Sequence, residues 1–200
     1  MPERRIALVR HGQTDYNVAR RLNGDPSVPI PLNDTGRAQV EALKPRVDAL
    51  PVDLGVCTRF PRAAQTLGLL LEGRDIPRDV CPDLDDVRLG EFEGAPVDEY
   101  RAWRRENGPE ARPPGGGESR IDALARYARG FEWVLARPER FVLVVTHDIP
   151  IRFLRNAMAD DDPISGAVRS IDNASLLVVS RAQMLHGITV MRRRLPAGAT

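Results

Sequence analysis

The chain has 200 residues and carries 29 Lys plus Arg against 28 Asp plus Glu, a formal net charge of +1. That near balance excludes a strongly basic nucleic-acid coat and a strongly acidic tail. No apolar run approaches the ~18 residues that span a bilayer, and two cysteines, Cys57 and Cys81, make no disulfide framework, so a reducing cytoplasm is the expected setting. Only Lys44 among the basic residues is a lysine, so the cationic chemistry rests on guanidinium groups, whose planar fork suits phosphate and carboxylate. The length fits one domain over 1–200, with a cap inserted at about 82–118. At 42% hydrophobic and 5% aromatic, the core should be aliphatic.

In chain order, the N-terminal residues from Met1 are too short for a secretory signal before Arg5-Ile6-Ala7-Leu8-Val9, a continuous apolar run that predicts a strand buried on both faces. The run ends in Arg10-His11-Gly12 and a Pro-rich loop follows (Pro26, Pro29, Pro31). Asn33-Asp34-Thr35-Gly36 offers a helix cap, with the helix running to Pro45 or soon after. Leu54 to Cys57 predicts a short strand. Pro61 fits the first turn of a helix through Leu71, and Asp79 to Cys81 predicts a weak strand. From Pro82 to Glu118 the composition turns charged and Gly- and Pro-containing, with a helix around Tyr100 to Trp103 and a break at Pro113 to Gly117. Ser119 and Asp122 form a capping-box pattern for the next helix. Phe141 to Val145 is the strongest strand and ends in Thr146-His147-Asp148. A helix over about 150–157 and two late strands, near 175–179 and 188–191, complete the pattern. Alternating strands and helices predict an α/β three-layer sandwich with a mostly parallel central sheet.

The chain has three histidines, and two of them, His11 and His147, stand at the ends of the two strongest apolar strands. The carboxyl ends of parallel strands line the ligand crevice of an open α/β sheet, so these two can meet in space. His186 has no such context and reads as structural or exposed. Neither a Walker A pattern nor a zinc-ligand spacing is present. Gly115 to Gly117 reads as a flexible loop, and Arg192 to Arg194 as a solvated chain end.

The segment Leu8-Val9-Arg10-His11-Gly12-Gln13-Thr14-Asp15-Tyr16-Asn17 resembles the signature of the histidine phosphatase superfamily, the group containing the cofactor-dependent phosphoglycerate mutases. Further blocks are similar in the right order: Pro31 to Gln39, Cys57 to Ala63, Leu84 to Val87 with Gly90 and Glu93-Gly94, Gly116 to Ser119, and Val144 to His147. The resemblance implies His11 as the nucleophile that becomes phosphohistidine. It implies that Arg10, Arg62 and His147 hold the phosphoryl oxygens, that Asn17 adds a hydrogen bond, and that no metal or other cofactor takes part. Spacing alone reads Arg62 as a surface helix arginine; the whole block reverses this.

Two departures stand out. The family's general acid is usually a glutamate, and here Asp86 occupies the block; an aspartate can serve if burial raises its pKa. Asp148 stands where the mutase-like branch usually has glycine, which makes it an alternative acid; its other reading is a helix N-cap. The Leu84 to Gly94 pattern favours Asp86. The short insertion favours a phosphatase over a mutase-type phosphoryl transferase, and the intact Arg10, His11, Arg62 and His147 speak against a non-catalytic phospho-ligand binder. The expected partner is a small phosphorylated metabolite, not nucleic acid or membrane.

Overall fold

A computed structural model describes residues 4–196; Met1 to Glu3 of the N-terminal stretch and residues 197–200 lie outside it. The strands are β1 (Arg5–Arg10), β2 (Leu54–Cys57), β3 (Arg78–Val80), β4 (Phe141–Thr146) and β5 (Leu176–Ser180). The helices are α1 (Asp15–Val18), α2 (Asp34–Asp48), α3 (Pro61–Leu70), α4 (Val97–Glu106), α5 (Arg120–Ala136), α6 (Asp148–Met158) and α7 (Arg181–Arg194). The five strands form one sheet in the order β3-β2-β4-β1-β5, with β5 alone antiparallel to its neighbour. This is the α/β architecture expected, a mostly parallel sheet between two layers of helices.

The layers follow from the period of two along each strand. Ala7, Val9, Leu143 and Val145 point to one face and pack with Val40, Leu43 and Val47 of α2 and Ala63, Leu67 and Leu70 of α3. Ile6, Leu8, Val142 and Val144 point to the other and pack with Leu124, Tyr127 and Phe131 of α5, Ile151 and Leu154 of α6, and Met184 and Ile188 of α7. Both faces of β1 and β4 are therefore covered, which is why these strands read as unbroken apolar runs.

Two sequence expectations are corrected. Ile188 to Met191 is not a strand but part of α7. Ser180 and Gln183 form a capping box, and Met184, Ile188 and Met191 then fall on one buried helical face against the sheet. The short helix α1 replaces open loop, because Thr14 and Asn17 cap it reciprocally. Pro45 lies inside α2, which runs three residues further to Asp48 because Val47 is still buried in the core.

The segment 82–118 begins against the carboxyl ends of β2 and β4, where Leu84 O accepts from Thr146 Oγ1 at 2.7 Å and Asp85 Oδ1 accepts Arg59 N–H at 3.0 Å. Its backbone pairs with the stretch after α1: Val97 N–H donates to Arg20 O at 2.8 Å, and Leu22 N–H to Ala95 O at 2.9 Å. Phe92, Tyr100 and Trp103 form an aromatic group that seats α4, with Tyr100 and Trp103 stacked at 5.9 Å. No helix among the described residues is long and apolar enough to cross a membrane.

Candidate active site

The register of β1 and β4 builds the site. Val9 lies beside Val145 and Arg10 beside Thr146, so His11 and His147 leave adjacent strand ends together. His11 N–H donates to Thr146 O at 3.0 Å, and the two imidazole centroids are 5.3 Å apart. The turn after His11 needs a close backbone approach. A Cβ on Gly12 would stand 2.6 Å from Gly36 O, and one on Gly36 would stand 2.1 Å from Gln13 O. The start of α2 is thereby pressed against the histidine turn, which accounts for the glycine in Asn33-Asp34-Thr35-Gly36.

His11 is buried, and its Nδ1 lies 2.7 Å from Gly12 O. A carbonyl can only accept, so Nδ1 carries the hydrogen and Nε2 keeps its lone pair. Arg62 Nε donates to that Nε2 at 3.1 Å. Burial, with Arg62 and Arg10 adding to it, holds the His11 pKa well below the ordinary histidine value. His147 is lowered in the same way, first by burial and then by Arg62 and His11. Both rings are therefore neutral at neutral pH.

Arg62 leaves the first turn of α3, after Pro61, and is buried over the ring of Phe60 at 4.2 Å. It donates to the Asn23 side chain and, at 3.1 Å, to Asn23 O. Asn23 is held in turn by Glu93 at 3.0 Å. Arg62 Nη2 also reaches His147 Nδ1 at 3.3 Å and Asp86 Oδ2 at 3.4 Å. Burial lowers the Arg62 pKa to about 10, still far above neutrality. Arg10 donates to Ile171 O, and its Nε is buried with no partner among the described residues. Asn17 gives its Oδ1 to Thr14 N–H, which leaves its amide hydrogens for another acceptor.

The two acid candidates have different surroundings. Asp86 Oδ2 lies 3.7 Å from His147 Nδ1, and burial raises the Asp86 pKa against the pull of Arg62. Asp148 is the first residue of α6, not its cap; His147 holds the cap position. The Asp148 carboxylate accepts Ile171 N–H at 2.6 Å and faces Arg152 at 3.6 Å. Each carboxylate is anchored through Oδ1, that of Asp86 by Val87 N–H at 3.0 Å; they differ in that Asp86 Oδ2 faces His147 and Arg62 whereas Asp148 Oδ2 faces Arg152.

Arg10, His11, Asn17, Arg62, Asp86 and Asp148 line one cavity of about 540 Å³, with His147 buried at its base. All the residues singled out from sequence thus converge. His186 lies apart, paired with Asp160 at 2.9 Å on the surface. Sequence reasoning missed Asn23, the clamp on Arg62, and Thr58 as a partner of His147, with Oγ1 2.9 Å from Nε2. It also missed Arg126, which donates to the carbonyls of Asp83, Asp85 and Asp86. Only the three-dimensional placement of these groups marks them. Among the described residues, no group of three or more His, Cys, Asp or Glu side chains is placed to share a metal ion.

An α/β sheet that presents two neutral histidines and a buried arginine at adjoining strand ends has the design of the histidine phosphatases. The sequence profile of the histidine phosphatase superfamily (branch 1) matches residues 6–191, and the chain belongs to that family. It is 38% identical over 89 residues to the adenosylcobalamin/alpha-ribazole phosphatase of Salmonella typhimurium, a match covering 44% of this chain and 43% of that one. It is 33% identical over 163 residues to the 2,3-bisphosphoglycerate-dependent phosphoglycerate mutase 2 of Gloeobacter violaceus, covering 74% of this chain and 72% of that one. Among solved structures, mycobacterial glucosyl-3-phosphoglycerate phosphatase complexed with VO3 superposes with a TM-score of 0.69 at 30% identity, covering 88% and 92% of the two chains.

Proposed function

We propose that this chain is a phosphatase that hydrolyses a small phosphomonoester through a phosphohistidine on His11, without a metal. The observation that carries this reading is the His11 ring: Nδ1–H is fixed on Gly12 O, so the Nε2 lone pair faces Arg62 and the cavity. Nε2 attacks phosphorus and the bond to the leaving oxygen breaks. Arg10 and Arg62 neutralise the charge on the three phosphoryl oxygens, the main task in phosphoryl transfer, while His147 and the Asn17 amide hold those oxygens by hydrogen bonds. Thr58 serves His147 here. Its Oγ1 accepts Nε2–H, since Arg62 Nη2 can only donate and so takes Nδ1 as its acceptor. When a phosphoryl group draws Arg62 Nη2 to itself, the Thr58 hydroxyl can turn to donate to Nε2, and the ring hydrogen moves to Nδ1, facing the phosphoryl group.

Asp86 supplies the proton to the leaving alkoxide. In the second step it takes a proton from the water that attacks phosphohistidine, and phosphate leaves. The residues 82–118 act as the cap that closes over the substrate. A small phosphorylated metabolite as partner and a cytoplasmic setting accord with the cavity volume and with two buried free thiols. The resemblance to a mutase favours a second reading, transfer of the phosphoryl group back to substrate. The cap contains one ten-residue helix, α4, little with which to exclude water between two transfers.

Incubation with p-nitrophenyl phosphate and EDTA tests the proposal. Turnover should persist in the wild type and vanish in His11→Ala; strict dependence on added metal would overturn it. Phosphoglycerate isomerisation, with and without bisphosphoglycerate, would reveal the mutase.

A further inference from the structure

The cavity extends well beyond the phosphoryl site, and its outer part is strongly cationic. Nine arginines and two aspartates line it. Most of that charge is not needed for one phosphoryl group, which Arg10 and Arg62 already serve.

Arg120 is the unusual member. It is only 7% exposed, lines the cavity, and donates no hydrogen bond among the described residues; Nε and Nη1 are fully buried without a partner. Its planar face is used, since the guanidinium carbon sits 5.4 Å over the ring of Tyr100. Its N–H edge is not. A buried guanidinium with unmade hydrogen bonds is destabilising, and its position aggravates this. Arg120 is the first residue of α5, where the helix dipole disfavours a cation.

Two further arginines crowd it. Arg104, half-buried on α4, forms no ion pair among the described residues. Burial and then the charge of Arg120 lower its pKa to about 10. Arg152 on α6 is lowered by burial, and Arg120 again contributes, while Asp148 opposes. Arg152 gives Nη1 to Arg169 O at 2.6 Å and lies 3.6 Å from Asp148, but its Nε is buried and unpartnered. Asp148 is the one carboxylate facing this group from within the cavity lining beside Asp86, and it is already shared with Ile171 N–H. Three guanidinium groups from three different elements thus converge with one carboxylate between them.

We propose that Arg120, flanked by Arg104 and Arg152, is a second anion subsite, so that the preferred substrate is a phosphomonoester with a further carboxylate or phosphate at its far end. The inference rests on the phosphatase reading for its assay but concerns the opposite end of the substrate. An oxyanion there would take the orphaned N–H groups and offset the repulsion among the three cations.

The test is a series of phosphomonoesters of straight-chain ω-hydroxycarboxylic acids of two to six carbons, set against alkyl phosphates of equal length. The matching alkanediol bisphosphates form a third arm that separates a carboxylate from a phosphate preference. In the wild type one length should exceed its alkyl partner by about tenfold or more in kcat/KM, mostly through KM. Arg120→Gln should bring that ratio to about one, and Arg120→Lys should restore part of it. A merely structural loss would lower both members of a pair and leave the ratio intact. No preference at any length, or a preference that survives Arg120→Gln, overturns the subsite. If the wild type hydrolyses none of these compounds or p-nitrophenyl phosphate, the phosphatase reading fails instead. Calorimetric binding of the same pairs to His11→Ala then decides the subsite by the same ratio.

Discussion

Two aspartates compete for the role of proton donor, and their contacts separate them. Burial raises the Asp86 pKa, so its protonated form persists to higher pH than that of an ordinary aspartate. Activity on a poor leaving group should accordingly fall as pH rises through that raised value, because the protonated acid is lost. In Asp86→Asn the falling limb should disappear, and the rate below it should drop by about 10²–10⁴-fold. Asp148→Asn should disturb the Ile171 and Arg152 contacts but retain the limb. Steady-state pH profiles of both variants check this; a limb lost only in Asp148→Asn would reverse the assignment. Spacing alone reads Arg62 as a surface helix arginine, and only the resemblance of its whole block points to the site. His11, His147 and Arg10 could be read from sequence because each stands at a strand end whose signal is local. Asn23 and Thr58 could not, since they act through side-chain contacts across 39 and 89 residues.

At the level of elements, the loop that carries Asp86 is held from behind by α5. Arg126 donates to Asp83 O at 3.0 Å, Asp85 O at 2.9 Å and Asp86 O at 3.1 Å, and it pairs with the buried carboxylate of Glu118. Glu118 also accepts Arg88 N–H at 3.0 Å, so the same carboxylate fastens the far side of the loop. Arg126→Met leaves three carbonyls without their donor and the buried Glu118 carboxylate with only Arg88, whose exposed guanidinium lies 3.3 Å from it, and should cost about 3 kcal/mol of stability. Arg126→Met combined with Glu118→Gln should cost less than the single change. Chemical denaturation of the two proteins measures the difference; equal stability would show that the ion pair does not hold the loop. Helices α2, α3, α5 and α6 and the central strands were legible from caps and apolar runs. The Ile188 to Met191 segment was not, because four residues of apolar character fit a strand as well as a helix, and only Ser180 and Gln183 upstream decide it.

For the whole molecule, a net charge of +1 conceals an uneven distribution. Several arginines on the outer surface are matched by carboxylates: Arg192 with Glu132 at 2.6 Å, Arg194 with Asp162 at 2.8 Å, and Arg137 with Asp79 at 3.2 Å. The cavity instead sets nine arginines against two aspartates. A concave surface with one dominant sign of charge concentrates counter-ions of the other, and the effect weakens with salt because the screening length falls to about 10 Å at 0.1 M. Raising the salt from 20 to 200 mM should therefore lower kcat/KM several-fold for a doubly anionic phosphomonoester, and less for a singly substituted one, with kcat nearly constant. Inorganic phosphate and sulfate should compete with substrate and weaken in the same way. The chemical step should escape the salt because Arg62, His11 and His147 are buried, where mobile ions screen poorly. Steady-state rates over a salt series, at fixed pH, separate the two parts of the cavity: an unchanged kcat/KM would mean that the outer arginines do not act on substrate approach.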